Sequence, residues 1–146
     1  MTQRLTRQLV FHGALLVLVG MCVGFPFAAA ITEGWGPESV RAWRVAHTSL
    51  VLGGALYLAI AAVSAHLVLG RAACLALTWS LVGAAYVFAS ALILGASVGA
   101  RGLEPGGPPL HALVFALFAT SLAALFAAVA ILAWGAFAGL REGAGR

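Results

Sequence analysis

Lysine is missing from this chain, and charge of either sign is scarce: 8 arginines and 4 acids among 146 residues, or 8%. Soluble domains carry about 25% charged residues. With 63% hydrophobic residues and a mean hydropathy of +1.07, the chain is an integral membrane protein. Its length leaves room for one small bundle and no separate soluble domain. The net charge of +4 and pI near 10.1 do not indicate nucleic acid. Arg4, Arg7, Arg71, Arg141 and Arg146 lie at the termini and one connection, where they read as topology signals, and no basic stripe carries interleaved aromatics. Cysteine is nearly absent too. Cys22 and Cys74 lie singly inside apolar segments, which excludes a disulfide framework or a CxxC site and casts both as small buried hydrophobes. No Asp, Glu, Lys or Arg lies deep in an apolar run, which argues against an ion pump, a proton relay or a voltage sensor.

What is present is a set of four apolar runs. A spanning helix needs about 20 mostly apolar residues, and Leu5–Ile31, Arg44–Leu69, Ala72–Ser97 and Leu110–Leu140 each qualify. The reading is an all-α, integral membrane four-helix bundle in a single domain. The first run is too long for a signal-peptide core and no clear small-residue cleavage site follows it, so it reads as a retained helix. "TEGWGPESVRAW" and "VGARGLEPGGPP" are Gly/Pro-marked loops, and Gly70-Arg71 reads as a tight helical hairpin. Four spans put both termini on one side together with Arg71. That side holds five arginines against three, Arg41, Arg44 and Arg101, on the other, which favours cytoplasmic termini. Trp35 and Trp43 then suit an interfacial belt. Gly20-xxx-Gly24, Gly95-xxx-Gly99 and Gly135-xxx-Gly139 offer close approach between helices, and Pro26 is expected to kink the first span.

The ionisable groups left within the spans are histidines. By depth, His12 and His66 lie toward the side of the termini, and His47 and His111 toward the other. Two histidines at matching depth could share a metal or a haem. For His12, His66 and His111, a bond to a backbone carbonyl or a place among headgroups is the commoner role. His47 differs: it stands one turn inside an apolar run, followed by Thr48, Ser49 and then Gly53 and Gly54. Those glycines would let a flat body approach the helix backbone. A neutral imidazole in an apolar bundle suits haem iron. Zinc fits less well, because no carboxylate or thiolate sits at ligand spacing with any histidine. No buried acid is available to orient a His beside a Ser, so nucleophilic catalysis has no candidate constellation.

Three short motifs, His12-Gly13, Trp43-x-x-x-His47 and Arg101-Gly102-Leu103, together with the hydropathy layout, resemble the styrene oxide isomerase family. The resemblance implies small four-span bacterial membrane proteins that bind haem b and assemble as trimers with haem near the subunit interfaces. It implies His47 as the axial iron ligand, and ferric haem acting as a Lewis acid that opens a hydrophobic epoxide to an aldehyde or ketone. It further implies a multi-pass protein of the bacterial inner membrane. The family's asparagine, six residues after the ligand histidine, is replaced here by Gly53. A family tyrosine of the third span that positions substrate corresponds to Tyr86 when Trp79 is the anchor, and to Leu92 when Arg101-Gly102-Leu103 is. Tyr57, Phe88, Phe115 and Phe118 are candidate liners of an apolar substrate pocket.

Three functions therefore compete on sequence grounds. The first is a haem b-dependent epoxide isomerase with His47 as ligand and His111, Gly53 and Gly54 near the cofactor. The second is a non-catalytic b-type cytochrome or sensor, with His47 and His111, or His12 and His66, as axial pairs. The third is a haem-free structural bundle.

Overall fold

The structure, a computed structural model, describes residues 3–143. Four helices run in chain order: α1 (Gln3–Thr32), α2 (Pro37–Val63), α3 (Arg71–Val98) and α4 (Pro109–Gly143). All four are long and apolar enough to cross a membrane, and the described residues contain no strand.

The boundaries depart from the hydropathy reading at α2. That helix starts at Pro37 rather than near Arg44, because proline at the first helical position already has a helical φ and needs no hydrogen-bond donor. Gly36, at φ 93°, makes the entry, and Glu38 in the first turn faces the positive end of the helix dipole. The polar segment from 38 to 44 is thus helical, although it is not part of the apolar run. At the other end α2 stops at Val63. A 3₁₀ turn over Ser64–His66 and an extended Leu67 follow, so the connection to α3 is longer than the Gly70-Arg71 hairpin expected. Helix α1 continues through Pro26 to Thr32. Helix α3 ends on Gly99, whose left-handed φ of 70° lets the amide of Ala100 bond back to the Gly95 carbonyl at 2.9 Å.

Lipid gives helices no hydrophobic reason to associate, so close approach must hold the pairs together. Glycine supplies it between α1 and α2. A Cβ on Gly20 would lie 2.8 Å from the Val51 backbone nitrogen, and one on Gly54 would lie 2.7 Å from the Gly13 carbonyl oxygen. Helix α3 occupies the middle of the bundle, touching α1 and α2 on one side and pairing extensively with α4 on the other. Leu9, Leu50, Leu77, Leu81 and Val114 are fully buried between these layers. Two sequence expectations change here. Trp43 is buried in the core with Ala46, Leu50 and Tyr57, on the inward face of α2, rather than in an interfacial belt. Cys22 is exposed rather than buried, because it lies about 200° around α1 from Gly20, which faces α2.

Candidate functional site

His47 is half-buried in the seam between α1 and α2. Its Nδ1 lies 2.8 Å from the Gly20 carbonyl oxygen. A carbonyl can only accept, so Nδ1 carries a proton, and in the neutral ring Nε2 keeps its lone pair. Among the described residues nothing hydrogen-bonds Nε2. A metal-ligating histidine has this arrangement, with its second nitrogen donating to a carbonyl that fixes tautomer and ring orientation. The ring lies over Gly24, where an added Cβ would approach Cε1 and Nδ1 to 3.3 Å. Phe27 stacks beside it, with centroids 6.0 Å apart and planes 23° apart, and the Arg44 guanidinium sits 5.8 Å above the Phe27 ring. One imidazole nitrogen is thus left free beside small and aromatic residues.

His12 is built differently. Its Nε2 lies 3.1 Å from Gln8 Oε1, an acceptor, so Nε2 carries the proton; its Nδ1 then accepts from the Tyr86 hydroxyl at 2.7 Å. Both nitrogens are occupied, and the pair ties α1 to α3. Tyr86 is therefore remote from His47. Their α1 partners, His12 and Gly20, are eight residues apart, which is about 12 Å along a helix. His66 lies exposed in the 3₁₀ turn, and its carbonyl meets Gly139 of α4. His111 is half-buried in the first turn of α4, above Gly107 of the preceding loop. Among the described residues no hydrogen bond or ring contact joins His111 to His47, or His66 to His12.

The two glycines after His47 have different surroundings. Gly54 is pressed against α1, where a Cβ would come 2.6 Å from Val17 Cγ2. The space it leaves is filled by the neighbouring helix. At Gly53 a Cβ would meet only Leu16 Cδ2, at 3.5 Å, an ordinary contact. Sequence reasoning missed Gly20, Gly24 and Phe27, which complete the His47 environment. The Gly20-xxx-Gly24 spacing was the one signal pointing to them.

A cavity of about 460 Å³ opens between α2, α3, α4 and the segment 99–103. Its walls include Ala42, Val45, Leu92, Ala96 and Phe118, with Glu38, Arg41 and Arg101 at its edge. Val45 precedes His47 by two residues, about 200° around the helix, so this cavity lies across α2 from the imidazole. Of the four aromatic residues expected to line a pocket, Phe118 does so here and stacks edge-on against Phe88, centroids 5.6 Å apart. Tyr57 is instead buried in the core, its hydroxyl donating to the Leu81 carbonyl. Leu92, the alternative to Tyr86 in the family register, is on the cavity wall.

A family model described as styrene oxide isomerase matches residues 5–137. No curated protein matches the chain.

Proposed function

The chain belongs to the styrene oxide isomerase family, and from that premise we propose that it isomerises a small hydrophobic epoxide to an aldehyde or ketone with haem b held by His47. The observation supporting this is the hydrogen bond from His47 Nδ1 to the Gly20 carbonyl, which leaves Nε2 available in an apolar setting. The residues present fit the group: a neutral imidazole of fixed tautomer, and flanking groups that carry no competing anion. When bound, ferric haem supplies a Lewis acid to the epoxide oxygen, chemistry that needs no net electron transfer.

This chain's own residues do the holding and the shielding. The Gly20 carbonyl orients the ring of His47 and raises its basicity as a ligand. Phe27 and Gly24 pack its sides. Arg44, drawn over Phe27, places a positive charge at the rim rather than within the seam. Gly53 offers no polar group where the family has an asparagine, so substrate positioning here relies on shape. Tyr86, bound to His12 a dozen ångströms lower, is no substitute for it. The homotrimer, the cytoplasmic termini and the bacterial cell membrane belong to the same reading.

The test joins a spectrum to a reaction. Protein purified from haem-replete cells is expected to show a Soret band and to convert styrene oxide to phenylacetaldehyde without added reductant. His47→Ala is expected to lose both. A haem-loaded wild-type preparation that leaves a panel of aryl and alkyl epoxides untouched would overturn the isomerase assignment. A colourless one would overturn the cofactor.

A further inference from the structure

Arg101, Gly102 and Leu103 have no part in the surroundings of His47, yet all three bear on the cavity across α2. Arg101 Nη2 donates to Glu38 Oε2 at 2.9 Å, tying the segment to α2. Gly102, at φ 65°, lies so close over Phe118 that a Cβ would overlap that ring. Leu103 completes the wall. The segment is therefore pinned at two points as a rim. Beneath it Gly95, Ala96, Gly99 and Ala100 leave room because they are small. The resulting volume of about 460 Å³ falls in the range of small-molecule sites.

The charges at the mouth are unequal. Glu38 receives Arg41 Nη2 on Oε1 at 2.7 Å and Arg101 Nη2 on Oε2 at 2.9 Å. Among the residues lining the cavity, one carboxylate against two guanidiniums leaves one positive charge, and each guanidinium has further N–H donors. Behind that charge the walls are apolar: Val45, Leu92, Ala96 and Phe118.

We propose that this cavity binds a small amphiphilic monoanion, its acidic head on Arg41 and Arg101 and its apolar body against Leu92, Ala96 and Phe118. The site is separate from His47 and does not depend on haem. A guanidinium pairs with a carboxylate or a phosphate through the same charge-assisted bonds. The ligand chemistry is accordingly shared by a free short-chain carboxylate and the phosphate of an anionic lipid.

The full chain in phosphatidylcholine nanodiscs, titrated calorimetrically with octanoate against empty discs, tests the site, with octanol as the neutral control. Octanoate is expected to bind saturably and at least about tenfold more tightly than octanol. Arg101→Gln is expected to weaken octanoate about tenfold and leave octanol unchanged. Glu38→Gln is the discriminating variant: removing the competing carboxylate frees both guanidiniums, so octanoate should bind more tightly. Equal binding of octanol and octanoate would overturn the proposal. So would weakening by Glu38→Gln, which would make the cluster only a structural tie. Repeating the titration in phosphatidylglycerol nanodiscs separates the sources. Competition there assigns the site to a lipid phosphate, and undiminished affinity assigns it to the free carboxylate.

Discussion

Two histidines within the spans, His12 and His47, differ in what their hydrogen-bond partners leave over. Gln8 and Tyr86 use both nitrogens of His12, whereas Gly20 uses one of His47. That difference was not legible in the sequence, because it depends on which residues of α1 stand beside α2. What was legible was that His47 is out of place in an apolar run. The following glycines carry the residue-scale prediction. Gly54→Val would drive a side chain into Val17 and the α1 backbone, and overpacking of this kind costs about 1–3 kcal/mol or more. Gly53→Asn has ordinary clearance to Leu16 and should leave stability nearly unchanged. Thermal unfolding in detergent is expected to show a clear fall for the first and none for the second. An equal loss in both would contradict the packing described.

At the scale of the element, hydropathy located all four helices because each has enough apolar residues to span a bilayer. It misplaced the ends of α2, because the polar stretch from Glu38 to Arg44 continues the helix and the apolar stretch from Leu67 to Leu69 does not. Apolarity marks where a helix is buried in lipid, and capping marks where it ends. The inward face of α2 (Trp43, Ala46, Leu50, Gly54, Tyr57, Ala61) repeats at helical spacing. It was nonetheless hard to read, because the opposite face, meeting lipid, is equally apolar. Tyr57 is the polar exception on that inward face, and its hydroxyl reaches the Leu81 carbonyl of α3. Tyr57→Phe keeps the ring and removes the bond, at a cost of about 1 kcal/mol. The melting temperature should fall by a few degrees while the haem spectrum is retained. Loss of the Soret band in Tyr57→Phe would mean that α2–α3 packing governs the His47 seam.

For the whole molecule, the number of spans was legible in the hydropathy but their pairing was not, since helix neighbours are chosen by small residues whose matches recur in a chain with 18 glycines. In the structure α3 is the shared wall: the α1–α2 hairpin lies on one side and α4 on the other. The segment 103–108 between α3 and α4 is exposed throughout. Chains divided there, 1–104 and 105–146, are expected to co-purify when co-expressed, since the α3–α4 contact does not require the covalent link. Dividing the chain at 67/68 should fail, because Leu67 is buried and Leu69 packs on Gly135. Affinity capture of one tagged half and detection of the other checks both cases.

The connection between α2 and α3 carries one further consequence, for the order in which the protein is made. The amide of Val68 donates to the carbonyl of Gly135 at 3.1 Å, and Gly139 packs on the carbonyl of His66. Synthesis runs from the N-terminus, so these non-helical backbone groups emerge long before their partners in α4. A nascent chain with three spans inserted still has an unsatisfied turn, and a chain truncated before Gly135 never closes it. Closure of the turn between α2 and α3 therefore waits for the fourth helix.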